Sequence, residues 1–192
     1  MMTWRECKSL IVQDLTRCVE GRKTITLIRY LITNSSFKIC FWFRIGTYLQ
    51  KKNLGLFYFF VYWHYKQLMY KTGIQLPIGT KVGGGLRFNH FGNIVVNKNA
   101  TIGKNATIYN GVTIGVNLNP DEKEVPPVIG DNVVLCAGAK VIGDVRIGNG
   151  SVIGANAVVV KDIQEDSVAV GVPAKRISNR GFEYVELYIK HK

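Results

Sequence analysis

At 192 residues the chain is long enough for one core with a small additional subdomain, and too short for two large domains. Its net charge of +12 is unevenly placed: residues 1–73 hold 12 Lys and Arg against 3 Asp and Glu, whereas residues 74–177 hold 10 against 8. No Asp or Glu occurs between Glu20 and Asp121, a run of 100 residues with 13 Lys and Arg, so chemistry in that stretch has no local carboxylate.

Cys7, Cys18, Cys40 and Cys136 are scattered, without CxxC spacing or a histidine in ligand register. A metal site and a disulfide framework are both unsupported, and a reducing cytoplasm is the expected setting. The opening "MMTWRECKSLIVQDL" has early acids and no uninterrupted apolar core, so no secretory signal is expected.

Residues 1–73 predict a helical subdomain built from "WRECKSLIVQDLTRCV", "TITLIRYLI", "SFKICFWFRIGTYLQ" and "LGLFYFFVYWHYKQLMYK". Ser35 and Ser36 are the expected N-caps of the third helix, and "KKNLG" breaks it from the fourth. The longest uncharged apolar run, residues 54–63, is half of the roughly 20 residues that a spanning helix needs. Aromatic residues crowd there with Lys38, Arg44, Lys51, Lys52, Lys66 and Lys71. Packing within an oligomer is the simpler reading of that crowding, and peripheral contact with anionic lipid at the inner face of a membrane is the sharper one.

From Ile78 an aliphatic residue returns every six positions, at Val96, Ile102, Ile108 and Ile114 and again at Ile129, Leu135, Val141, Ile147, Ile153 and Val159. Gly84 and His90 interrupt the series. The fifth place of each hexad is small or β-branched, as in Ala100, Ala106, Val112, Val133, Ala139, Val145, Ser151 and Ala157. A period of six fits neither a helix nor an ordinary strand. It fits a solenoid in which three hexads close one triangular coil and each coil buries its apolar edge on the next.

Residues 74–177 therefore predict a parallel β-helix, mainly β in class and preceded by the helices. Residues 116–127, "VNLNPDEKEVPP", interrupt two in-phase halves and predict an extruded loop of functional character. Residues 178–192 predict a polar, aromatic tail.

The hexads, "NHFGNIVV" at residues 89–96, "GVTIG" at 111–115 and "GVPAKRI" at 171–177 together resemble the left-handed β-helix acyltransferases, in particular their serine acetyltransferase-like branch. Within it the chain is similar to short members tied to bacterial surface polysaccharide synthesis. The resemblance implies acetyl transfer from acetyl-CoA to a hydroxyl, without a metal, by homotrimers whose active sites lie in grooves between adjacent prisms. Three positions depart from that branch. Asn89 stands where it has an Asp before the catalytic His, Gln75 where it has the Asp orienting the imidazole, and Pro126 where it has a second active-site His.

His90 is the expected general base, since imidazole titrates near neutrality and can take a proton from an attacking alcohol in a direct transfer. The competing structural reading is an inward histidine in the aliphatic column. Cys136 sits at a corner with no His beside it, so a covalent acyl-enzyme is not expected. Gln75, a backbone carbonyl or a carboxylate from residues 121–124 of a neighbouring chain would hold the His90 tautomer. Gly115 is the candidate oxyanion donor.

Ala137, Gly138 and Gly154 are candidates to line the pantetheine arm of acetyl-CoA, and Lys161, Lys175 and Arg176 to meet its phosphates. Asn89 and Asn110 are candidate acceptor contacts. Free serine carries an ammonium that calls for buried acids, and none lies nearby, so a sugar hydroxyl is the expected acceptor and serine the alternative.

A zinc carbonic anhydrase of the same architecture needs three imidazoles, and only His90 falls in the prism. The pI near 9.6 comes with no nucleic-acid-binding motif, so no nucleic-acid partner is expected.

Overall fold

The end coil of a parallel solenoid leaves a row of backbone amides and carbonyls unpaired, and here a layer of helices meets that row. The computed structural model describes residues 2–18, 24–117 and 124–190. Four helices, α1 (Trp4–Cys18), α2 (Thr24–Thr33), α3 (Ser35–Lys51) and α4 (Gly55–Thr72), precede a parallel β-helix. The helix α5 (Gly181–Lys190) follows it.

α3 is the centre of the helical layer and packs against α1, α2 and α4. Its N-cap is Asn34, whose side chain accepts from the Phe37 amide, rather than the expected Ser35 or Ser36. Ser36 is engaged elsewhere: its hydroxyl accepts from the Phe88 amide of the first coil at 3.0 Å.

Other helical side chains finish the same row. Asp14 Oδ1 accepts from the Gly85 and Leu86 amides at 2.8 and 2.9 Å. Arg44 donates to the Val82 and Gly83 carbonyls at 2.7 and 2.6 Å. The Tyr65 hydroxyl donates to Leu76 O at 2.6 Å. Arg44 Nε and Asp14 Oδ2 also pair at 2.8 Å with both side chains almost fully buried. An ion pair without water is tolerable only because its remaining hydrogen-bonding capacity is met in this way.

The prism has three faces. Face 1 stacks five strands, Ile74–Gln75, Ile94–Val96, Thr113–Gly115, Lys140–Ile142 and Val158–Val159. Face 2 stacks Lys81–Val82, Thr101–Ile102, Val128–Ile129 and Arg146–Ile147. Face 3 runs from Arg87–Asn89 through Thr107–Tyr109, Val134–Leu135, Val152–Ile153 and Val168–Val170 to the antiparallel strand Lys175–Ser178.

The interior columns follow the register: Val96, Ile114, Val141 and Val159 on face 1, Val82, Ile102, Ile129, Ile147 and Ile163 on face 2, and Phe88, Ile108, Leu135, Ile153 and Ala169 on face 3. The fifth-place residues Ala100, Ala106, Val112, Val133, Ala139, Val145, Ser151 and Ala157 are all buried, as the repeat predicts.

The repeat departs from 18 residues per coil at three places. Ile74 pairs with Ile94 and Phe88 with Ile108, a step of 20, whereas Val95 pairs with Thr113, a step of 18. Two extra residues therefore lie between Asn89 and Ile94. The inward positions of the first coil are Leu76, Val82 and Phe88, which corrects the phase expected at Ile78, Gly84 and His90. Thr113 pairs with Lys140, a step of 27, so nine residues extrude between faces 1 and 2; of that loop, residues 118–123 lie outside the described part. Ile153 pairs with Ala169, a step of 16, and the last coil is shortened.

The expected tail is ordered as α5, which packs on the outside of face 3. Val185 is buried there with Val134, Cys136, Val152 and Val168 in a second small core.

Candidate active site

The two inserted residues reshape the corner between faces 3 and 1. His90, Gly92 and Asn93 have φ of 60°, 119° and 53°. Left-handed backbone is uncommon for a histidine and turns the chain back on itself. The result is that His90 is exposed and stands outside the aliphatic column, while Phe88 fills its place inside. The competing expectation of an inward histidine is corrected by this bulge. Gly73, at the C-cap of α4 with φ 65°, lies directly beneath: a Cβ there would meet Asn93 N at 3.0 Å and Gly92 Cα at 3.2 Å. Glycine is thus required both by its conformation and by the close approach of the bulge.

The His90 ring lies 6.1 Å from Tyr109, and Tyr109 lies 5.9 Å from Tyr188 of α5. The Cys136 thiol donates to the Tyr188 hydroxyl at 3.3 Å. This bond, followed by burial, pushes the Tyr188 hydroxyl well above its ordinary range, and burial pushes the Cys136 thiol up. A buried, protonated thiol is a poor nucleophile, in keeping with direct transfer. The line Cys136, Tyr188, Tyr109, His90 was missed from sequence. The signal available was the outward place of Tyr109 next to Ile108; nothing local ties the tail to face 3.

Further candidates stack along the His90 edge. The Gly111 amide donates to Gly92 O at 2.9 Å, Gly138 to Asn110 O at 2.9 Å, and Asn156 to Ala137 O at 2.9 Å. The Gly154 amide donates to Ala169 O at 2.8 Å just before the same corner, and the Val158 amide to Gly171 O at 3.0 Å. His90, Asn110, Ala137, Gly138 and Gly154 thus share one edge, with Lys175 near its far end, in register with Val170. Lys140, absent from the sequence-based set, reaches this edge and donates to the Gly111 carbonyl.

Other candidates lie elsewhere. Gly115 ends its strand at the opposite side of face 1, where its carbonyl accepts from the Gly143 amide, and Lys161 follows Val159 at that same second edge. Within one chain neither joins His90. Arg176 lies on face 3 and donates to Gln164 Oε1 at 2.7 Å. Asn89 Oδ1 accepts from Arg87 Nη2 at 3.1 Å.

Gln75 is exposed on face 1 and makes no hydrogen bond to His90. It lines a groove of about 670 Å³ beneath α4, together with Tyr58, Tyr62, Lys66, Tyr70 and Lys98. Of the expected loop carboxylates, Asp121 and Glu122 lie outside the described residues, and Glu124 is exposed. Among the described residues, no group of three His, Cys, Asp or Glu could hold a metal.

Residues 126–161 match the model of a family described as bacterial transferase hexapeptide (six repeats). A serine acetyltransferase of Staphylococcus aureus is 40% identical over 110 residues, 57% of this chain and 51% of that protein. The crystal structure of the serine acetyltransferase of Neisseria gonorrhoeae superposes with a TM-score of 0.74 at 27% identity, covering 91% of this chain and 66% of that one. A serine acetyltransferase in complex with CoA superposes with a TM-score of 0.72 at 26% identity, covering 91% and 71%. The chain spans about half the length of the Staphylococcus relative.

Proposed function

We propose that the protein is an acetyl-CoA-dependent O-acetyltransferase with His90 as general base. The single observation that carries this reading is the left-handed bulge that stands His90 outward at the head of an edge lined by corner backbone. A long, thin pantetheine arm laid along that edge would bring its thioester to the imidazole, with Lys175 towards the phosphates. The acceptor oxygen attacks the thioester carbonyl as His90 takes the hydroxyl proton. Collapse of the tetrahedral intermediate breaks the carbon–sulfur bond, and the imidazolium returns its proton to the departing thiolate.

Gly115 and Lys161 lie on a different edge, so their proposed roles require a second chain, in keeping with a trimer whose sites lie between prisms. The similarity to serine acetyltransferases, one of them bound to CoA, supports this activity. It also favours L-serine as acceptor over the sugar hydroxyl that the departures at Asn89, Gln75 and Pro126 led us to expect.

One observation keeps a second acceptor class in play. Among the described residues, the charged groups around Asn89 and Gln75 are cationic: Arg87 holds the Asn89 side chain, and Lys66 and Lys98 line the Gln75 groove. A cationic site disfavours an ammonium and suits a neutral or anionic hydroxyl compound such as a sugar. Thiol release from acetyl-CoA, measured with serine and with a panel of neutral and acidic sugars, separates the two. Serine turnover well above the water blank selects serine, sugar turnover selects the second reading, and no turnover with any hydroxyl refutes the activity.

A further inference from the structure

Among the described residues, exposed apolar side chains concentrate on α4: Leu56, Phe57, Phe59, Phe60, Trp63 and Tyr70 are 61–69% exposed, and only Tyr65 and Thr72 of that helix are buried. Leu56, Phe60 and Trp63 recur at helical intervals on the side opposite the buried Tyr65, and Tyr70 continues the stripe to the rim of the Gln75 groove. Such a contiguous apolar stripe is uncommon on a surface that meets only water.

Its charge surroundings are one-signed. Lys66 lies 5.9 Å over the Tyr62 ring, and Lys38 and Lys71 both act on His64, whose ring meets Trp42 edge to face at 4.6 Å. The described acids of the helical layer are Glu6 and Asp14, both on α1, and Asp14 is buried against Arg44. A second copy laid face to face would set lysine against lysine with no carboxylate among the described residues of either face between them. A surface of phosphates meets both halves of the pattern. Among the described residues, no helix is long and apolar enough to cross a membrane, so the contact would be interfacial.

We propose that the outer face of α4 docks on an anionic lipid bilayer. Leu56, Phe60 and Trp63 enter the boundary between headgroups and acyl chains, and Lys66 and Lys71 lie at phosphate level. Tyr62, Lys66 and Tyr70 also border the Gln75 groove, so docking sets the mouth of that groove at the bilayer surface.

The test is co-sedimentation of the full chain with vesicles of phosphatidylcholine, with and without phosphatidylglycerol, at low salt and in half-molar sodium chloride. Binding is expected to require phosphatidylglycerol and to weaken in high salt, with Lys71→Gln reducing partitioning about fivefold. The double variant Phe60→Ser/Trp63→Ser is expected to reduce it at least tenfold while keeping the native circular dichroism, since both side chains are already exposed. The proposal is overturned if the native chain fails to sediment with phosphatidylglycerol at low salt, or if it binds both vesicle types equally. It is also overturned if the double variant loses self-association in solution but keeps its vesicle binding, because the stripe is then an interface between copies.

Discussion

Replacing Asp14 with alanine would break four hydrogen bonds to three groups: two from the Arg44 guanidinium at 2.8 and 3.2 Å, and one each from the Gly85 and Leu86 amides. With both members of the pair almost fully buried, neither water nor salt can substitute. Breaking a buried pair from one side costs about 3–5 kcal/mol, a large part of a stability of roughly 5–15 kcal/mol. Asp14→Asn keeps an acceptor for the two amides and removes only the charge, so its loss should be smaller. The double variant Asp14→Ala/Arg44→Met removes the stranded cation but leaves the Val82 and Gly83 carbonyls unpaired; it should fall short of the sum of the single losses by about 1 kcal/mol or more. Urea unfolding followed by circular dichroism at fixed protein concentration measures the native chain, Asp14→Ala, Asp14→Asn, Arg44→Met and the double variant. A loss below about 1 kcal/mol in Asp14→Ala, or additivity within about 0.5 kcal/mol, would show that the pair does not fasten the helices to the first coil.

His90→Ala is expected to lower acetyl transfer by about 10²–10⁴-fold with little change in coenzyme A affinity, measured by thiol release and calorimetry; retained turnover removes His90 from the mechanism. Cys136→Ser should leave turnover within a few-fold, whereas abolished activity with an intact fold would revive an acyl-enzyme. Gly138→Val puts a branched side chain at φ 73° against Asn156, straining the backbone by about 1–2 kcal/mol and raising KM for acetyl-CoA more than it lowers kcat. Partial desolvation, with the charges of Lys38 and Lys71, holds the imidazole of the exposed His64 below its ordinary value. The unfolded chain therefore binds the proton first, and stability should decline as pH falls below about 6.5 by an amount that His64→Gln removes; identical pH profiles of thermal unfolding would contradict this.

The parts of this fold that repeat were open to reading. A hexad marks its interior by local alternation, so the columns through Ile102, Ile108, Ile114, Ile129 and Leu135 follow from the residue types alone, and the break at residues 116–127 shows as a loss of that rhythm. The four N-terminal helices were equally legible, because runs of helical length and the turn residues between them are local features. The same rule misplaced the first coil. Two extra residues between Asn89 and Ile94 cannot be seen by counting sixes, and they decide whether His90 faces the core or the solvent. Asp14 meets Arg44 and Gly85 across 30 and 71 residues, and Tyr188 meets Cys136 across 52. Contacts of that range leave no mark on the neighbouring sequence, because each residue is polar or aromatic for a partner that only folding supplies. By itself the sequence determined a stacked β solenoid behind a basic helical layer, with one histidine in the repeats. Only the tertiary structure decided that this histidine stands outward, which candidate residues share its edge, and which lie at the opposite edge, because backbone geometry at a corner and pairing between coils are set by packing rather than by any one residue's preference.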